Sequence, residues 1–310
     1  MADLFSVDPP ALREKLFLLK RELSLRGKKR EGSDRLLALR LSEAARVLFA
    51  LSGEGDELLS PELREGYEAF CGALPPELAE GGCRVLCREL ATLLHAAGKG
   101  SLPDPAGTPG EKICYVRNRF SDAAYDLLRP LLGEPVALYA DSFDAGAEQL
   151  AGEECAALLL PCETGEGAEL RGVRALVTAY DFKKSAVCTI HPGNGDSTLY
   201  ALYRRELTAS RQPTADRLEA TLPEGDAAAL TDLLAYATLC GAETLRATLQ
   251  TTDDGSACRF LFRGEGETLT ALRLYFALQY PHASCEGVYF AVDDGEAGLD
   301  FDYDSERNEL

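Results

Sequence analysis

Along residues 214–292 the spacing of apolar positions switches between two and about 3.6, and each switch marks an element. RLEATLP alternates, with Leu218, Ala220 and Leu222 on one face. Asp226 is placed to cap a helix whose apolar stripe is Leu230, Leu233, Leu234 and Ala237 and which Gly241 closes. TLRATLQT and ACRFLF alternate on either side of Asp253-Asp254-Gly255, a hairpin signal. Thr268 is placed to cap a second helix, TLTALRLYFALQYP, which stops at Pro281, and EGVYFAV forms a last strand. The predicted order is βαββαβ, a ferredoxin-like α+β sandwich with two helices on one face of an antiparallel sheet.

Upstream the period is different. Residues 11–97 predict an all-helical region: ALREKLFLLKRELSLR carries Leu12, Leu16, Leu19 and Leu23 at helical spacing, and DRLLALRLSEAARVLFALS repeats the pattern. PELREGYEAFCGAL and ELAEGGCRVLCRELATLLHAAG supply two more helices, the second with a start delayed by Gly81 and Gly82. KGSLPDPAGTPGEK is a Pro/Gly linker. After it, ICYV, PVALYA and CAALLLP read as buried strands, separated by helices over SDAAYDLLRPLL, which Ser121 is placed to cap, and FDAGAEQLAGEE. Strands alternating with helices imply a parallel α/β lobe. GVRALVTAYDF, SAVCTI and TLYALYRREL are read as further strands of it. The chain is thus expected to be multidomain: helical over 1–98, α/β over 112–207, α+β over 214–292, and an acidic tail over 293–310.

Composition narrows the function class. With 310 residues and 46% hydrophobic content the chain can build real cores. No run of 18 apolar residues and no secretory leader is visible, so a cytoplasmic protein without membrane association is expected. The net charge is −19, yet residues 12–46 hold eleven Lys or Arg against five Asp or Glu. Without interleaved aromatics, that basic stretch suits an acidic protein surface or an anionic metabolite better than nucleic acid. Of the ten cysteines only Cys83 and Cys87 are close in sequence, at helical spacing, so reduced thiols are expected rather than disulfides or zinc. The three histidines have no metal-like neighbours in sequence, and no metal or cofactor is expected. The tail reads as a solvated charge run, because calcium-loop spacing is missing.

Several short motifs carry a resemblance. After the first α/β strand stands VRNRFSDAA, with Phe120 and Ser121; the third strand ends in LLLPCETGEG, with Pro161 and Glu163; and DSTLYALYRR holds Thr198 at a strand entrance. In order and spacing these resemble the GTFS, PIENS and TRF motifs of the prephenate dehydratase family. The helical–α/β–βαββαβ layout resembles its bifunctional chorismate mutase–prephenate dehydratase members, whose last part is an ACT domain. The resemblance implies a periplasmic-binding-protein-like α/β lobe that converts prephenate to phenylpyruvate, water and carbon dioxide. It places Thr198 at the departing hydroxyl, with Glu163 and Ser121 orienting it or the substrate. Hydroxide leaves poorly, so such a site needs a positioned acid. From the helical part it implies Arg13 and Arg30 as candidate ligands of a dicarboxylate, through bidentate guanidinium pairing. From the ACT-like part it implies an amino-acid site near Ala229 and Leu230.

The departures from the family are equally specific. Only about thirty-five residues separate Glu163 from Thr198, too few for the second α/β lobe that closes the family's cleft. The ACT ligand motifs read AAL (228–230) and LQTT. Acidic residues typical of the mutase helix are missing, so that domain is expected to be degenerate. Two readings remain: a divergent prephenate dehydratase with weak or lost activity, or a non-catalytic, amino-acid-binding regulatory protein. A homodimer is expected for either, because an open sheet leaves strand edges to cover.

Overall fold

The structure, a computed structural model, describes Glu14, Phe17, Leu18, Leu19, Arg21 and residues 34–53, 56–103, 110–191, 196–208, 214–252 and 255–293. Arg13, Arg30, most of the first predicted helix and nearly all of the acidic tail lie outside the described residues. The chain is a mixed α/β protein that divides into two compact units, 1–101 with 221–284 and 102–220 with 285–310.

The first unit carries α1 (Asp34–Ala50), α2 (Pro61–Cys71) and α3 (Pro76–Ala96). Ser60 caps α2, its hydroxyl accepting from the Leu63 amide at 3.2 Å, and Pro61 supplies the preset φ of a first helical turn. Pro76 does the same for α3, which therefore begins ahead of Gly81 and Gly82 rather than after them. Along α3, Leu86, Cys87, Leu90, Ala91 and Leu94 are buried, a helical stripe that packs against α1 and α8 (Gly266–Gln279). The same unit holds α7 (Ala227–Leu239), β7 (Glu243–Thr252) and β8 (Gly255–Arg263). β7 and β8 form an antiparallel hairpin whose register closes on Thr252 and Gly255. Asp226 caps α7 as the sequence predicts, accepting from the Ala229 amide at 2.8 Å. Thr268 does not cap α8: the helix starts two positions earlier, and the Thr268 hydroxyl donates to the Cys240 carbonyl at 3.2 Å. Tyr236 of α7 and Tyr275 of α8 stack at 3.8 Å between ring centroids, welding the two helices.

The second unit is a large mixed sheet with helices on both faces. Its elements are β1 (Lys112–Val116), α4 (Arg119–Leu128), a 3-10 turn (Arg129–Leu132), β2 (Val136–Ala140), α5 (Phe143–Ala151), β3 (Ala157–Thr164), α6 (Arg171–Tyr180), β4 (Lys183–Ile190) and β5 (Thr198–Arg204). β6 (Arg217–Pro223) and β9 (Ser284–Asp293) each cross the division between the units. The strand order is β2-β1-β3-β5-β4-β9-β6 in this unit, and β6-β8-β7 in the other. β1 is parallel to β2 and β3, as expected, but β5 inserts antiparallel between β3 and β4, and β4 pairs parallel with β9.

GVRALVTAY, predicted as a strand, is helix α6. Val173, Leu176, Val177 and Tyr180 recur at i, i+3, i+4 and i+7, and that period wins over the β-branched composition. Asp181, at φ 54°, ends it in the left-handed region. On the α4 side of the sheet Ile113, Tyr115, Leu159, Ala186, Cys188, Ile190, Tyr200 and Leu202 form one core with Ala123, Ala124, Leu127 and Leu128.

Candidate functional site

Two places gather polar side chains, one in each unit. In the second unit it is the end of the sheet where β1 and β3 finish and β5 begins. Asn118, not Ser121, is the N-cap of α4: its Oδ1 accepts from the Phe120 and Ser121 amides at 3.0 and 3.1 Å. Ser121 occupies the third helical position and completes a capping box. Its hydroxyl accepts from the Asn118 amide at 3.0 Å and donates to the Val116 carbonyl at 2.7 Å. At 2% exposure its hydrogen bonds are spent on the strand-to-helix turn.

Glu163 is 5% exposed and pairs in register with Leu199, while its neighbour Thr164 pairs with Thr198. Residues directly opposite on antiparallel strands share a face, and successive residues alternate. Thr198 therefore shares the α4 face with Tyr200 and Leu202, and Glu163 belongs to the other face with Leu199 and Tyr203. So the sheet end brings Ser121 and Thr198 to one side and turns Glu163 to the opposite one. On that opposite side lies a buried polar group. Lys184 Nζ donates to Glu219 Oε2 at 2.7 Å, and the Tyr289 hydroxyl donates to the same oxygen at 3.0 Å. Burial raises the nearby Cys162 thiol to about 12 against the opposing pull of Lys184, so it is protonated and inert at neutral pH.

The turn after β3 is tight. The Gly165 amide donates to the Ser197 carbonyl, and a Cβ at Gly165 would meet Ser197 Oγ at 2.0 Å. At the same end, His191 Nε2 lies 3.0 and 3.1 Å from the two carboxylate oxygens of Asp293. The sequence gives no sign of this pair: its members are 102 positions apart and meet because β4 and β9 run parallel. Both are substantially exposed.

The second place, in the first unit, is a cleft of about 600 Å³ between the turn after β6 and the turn after α8. Gly225, Asp226 and Ala229 form one wall; Gln279, Tyr280 and His282 form the other. Gly225 is required there, because a Cβ would stand 2.8 Å from Cys258 Sγ. Ala229 lines the cleft, whereas Leu230 is not in its lining. Glu224 and Asp226 make its rim acidic, and Leu222, Pro223 and Pro281 give it apolar surface.

The far wall is anchored from behind. Tyr280 donates its hydroxyl to Asp232 Oδ2 at 2.6 Å, and Tyr275 donates to the same oxygen at 2.7 Å. Arg84 of α3 reaches Asp232 Oδ1 through Nε at 2.8 Å and Nη2 at 2.5 Å. Gln279 Nε2 donates to the Tyr67 hydroxyl at 2.8 Å. Burial, then the bond to Asp232, raise the Tyr280 phenol well above its ordinary value, so it stays a donor. Sequence reading missed Asp232 and Arg84, whose positions on two different helices carry no shared motif.

Among the described residues no group of three or more His, Cys, Asp or Glu is placed to hold a metal ion. No described helix is long and apolar enough to cross a membrane. No protein-family model matches the chain. No curated protein matches it either. Similar solved structures include a prephenate dehydratase from Streptococcus mutans, at 14% identity, covering 59% of this chain and 99% of that one with a TM-score of 0.47. A prephenate dehydratase from Arthrobacter aurescens in complex with L-Phe aligns at 12% identity over 58% of this chain and 89% of that one, with a TM-score of 0.44. GqqA, a quorum-quenching acylase of a novel type, aligns at 15% identity over 57% of this chain and 94% of that one, with a TM-score of 0.42.

Proposed function

We propose that this chain is an amino-acid-binding regulatory protein built on a prephenate dehydratase plan, with an ACT-like βαββαβ module over 214–292 as its ligand-binding part and a degenerate, chorismate-mutase-like helical part over 1–98. The observation that carries the reading is the cleft at the start of α7, formed by Gly225, Asp226 and Ala229 against Gln279, Tyr280 and His282. Its volume of about 600 Å³ is of the size that takes a small metabolite. The carboxylates of Glu224 and Asp226 suit an ammonium group, and Leu222, Pro223 and Pro281 suit an apolar side chain. A free α-amino acid has both. Titration calorimetry of the full chain against the common L-amino acids tests this. Asp226→Asn keeps the helix cap and removes the charge, and it should weaken binding on the order of tenfold. No binding by any amino acid at millimolar concentration would end the reading.

A second reading, a working prephenate dehydratase of phenylalanine biosynthesis, rests on Ser121 and Thr198 meeting on one face of the sheet end. Against it stand the committed Ser121 hydroxyl and the opposite facing of Glu163. An assay of prephenate conversion to phenylpyruvate separates the two: robust turnover would favour the enzyme. In both readings the protein works as a homodimer.

A further inference from the structure

Two consecutive residues of the far wall of the cleft, Gln279 at the end of α8 and Tyr280 just past it, connect by separate hydrogen-bonded routes to two consecutive residues of α3. On the first route Gln279 Nε2 donates to the Tyr67 hydroxyl at 2.8 Å, and that hydroxyl donates to the Cys83 carbonyl at 3.1 Å. The Tyr67 oxygen accepts while its hydrogen donates, so the two bonds polarise one another. The second route runs through Asp232 of α7. The Tyr280 hydroxyl donates to its Oδ2 at 2.6 Å, and Arg84 Nε donates to its Oδ1 at 2.8 Å. Bonds to a carboxylate are charge-assisted and roughly twice as strong as neutral ones. Water screens them little, because the Arg84 and Asp232 side chains are only 16% and 20% exposed. The near wall joins the same route, since Asp226 and Ala229 begin the helix that carries Asp232. Arg84 also has a second carboxylate in reach: its Nη2 donates to Glu80, one turn earlier on α3, at 2.6 Å, and the Glu80 side chain is 78% exposed. Arg84 thus stands between an inner anion tied to the cleft wall and an outer one in solvent. Two such discrete arrangements are what coupling over a distance requires.

We propose that occupancy of the cleft is read by α3: a ligand held against Gln279 and Tyr280 fixes both hydrogen-bonded routes and so holds α3 at Cys83 and Arg84, with Asp232 as the positioning residue that joins wall to helix. This rests on the reading of the cleft as an amino-acid site and adds where its occupancy is felt. Linkage makes the effect mutual. Loosening Arg84 from Asp232 must weaken the ligand, although Arg84 is not in the lining of the cleft. Tyr280→Phe keeps the ring in the wall, removes the hydroxyl and cuts the same route at its other end. Because the two cuts interrupt one route, making both should cost no more than making one.

The test is titration calorimetry of the full chain with each common L-amino acid in turn, for the wild type, Arg84→Met, Tyr280→Phe and the double variant, each established as folded by circular dichroism. For the amino acid that binds the wild type, either single variant should bind on the order of fivefold more weakly or worse, and the double variant no more weakly than the worse single. Hydrogen exchange read by mass spectrometry should show residues 80–87 exchanging more slowly when that amino acid is bound to the wild type, with no slowing in saturated Tyr280→Phe. An Arg84 that only supports the fold would lower the melting temperature of Arg84→Met and leave its affinity unchanged. That result, additive losses in the double variant, or slowing confined to the cleft itself would each overturn the coupling while the amino-acid reading stands. Binding of no amino acid to the wild type would end both. Should a variant not fold, the exchange of residues 80–87 in the wild type decides alone.

Discussion

Replacing Lys184 by Met removes a cation from the interior while keeping most of the side-chain volume. Lys184 and Glu219 meet at 2.7 Å with only 10% and 12% of their side chains exposed, so the partner left behind is a buried carboxylate. Breaking such a pair costs about 3–5 kcal/mol. The Tyr289 hydroxyl still donates to Glu219 at 3.0 Å, which places the expected loss at the lower end, about 3 kcal/mol. Adding Glu219→Gln removes the stranded charge and keeps an acceptor for Tyr289, so the double variant should lose only about 1 kcal/mol. Urea unfolding followed by far-UV circular dichroism reads these differences.

The pH dependence has a defined sign. Burial opposes the ammonium, but Glu219 and its neighbours outweigh it, leaving Lys184 raised above its ordinary 10.5. A raised basic group contributes fully below its unfolded value and loses the contribution as pH rises through the folded one. The wild-type advantage over Lys184→Met should therefore be flat from neutral pH to about pH 10 and fall above it. A single variant costing under about 1 kcal/mol, or a double variant no better than the single, would refute the reasoning.

Ser121→Ala should lower stability by about 1–2 kcal/mol in thermal unfolding through loss of the capping box, whatever happens to ligand binding. If the chain has residual prephenate turnover, Glu163→Gln and Thr198→Ala should leave that rate within a few-fold. A drop on the order of 10²-fold from robust turnover would restore the enzyme reading. Light scattering at micromolar concentration should find a homodimer that persists in high salt, because apolar burial rather than charge holds it. Leu249, 41% exposed on β7 at the outer end of its sheet, is a candidate contact, and Leu249→Glu should shift the protein to monomer without lowering its melting temperature.

The parts of the fold that were legible in the sequence are those decided within one element or one turn. The strands over RLEATLP and TLRATLQT, the cap at Asp226 and the β7–β8 hairpin all concern neighbours in the chain, and the structure has them. Where a short apolar run allows two periods, local reading divides: GVRALVTAY holds the β-branched residues of a strand and the i, i+3, i+4, i+7 spacing of α6. Caps near competing hydroxyls shift in the same way, from Ser121 to Asn118 and from Thr268 to the backbone before it. What the chain does not advertise is pairing over distance. β5 lies antiparallel between β3 and β4, and Arg84 meets Asp232 across 148 positions.

The candidate site turns on one such long-range detail. Up to Pro161, opposite Tyr200, β3 and β5 pair regularly; continued without interruption, that register would set Glu163 opposite Thr198 and put both on the α4 face with Ser121. A bulge between Pro161 and Glu163 adds one residue to β3, so that Glu163 stands opposite Leu199 instead. One extra residue moves a side chain from one face of a sheet to the other. The three motif residues can thus keep their order and spacing in the sequence while the carboxylate leaves the face on which the two hydroxyls remain. Glu163 is then set, 5% exposed, on the face that also carries Leu199 and Tyr203. A catalytic group has to reach the reacting atoms, and on this register Glu163 does not share a surface with Thr198 on which a substrate could touch both. That is the physical reason to look for the function of this chain at the cleft beside Asp226 rather than at the sheet end.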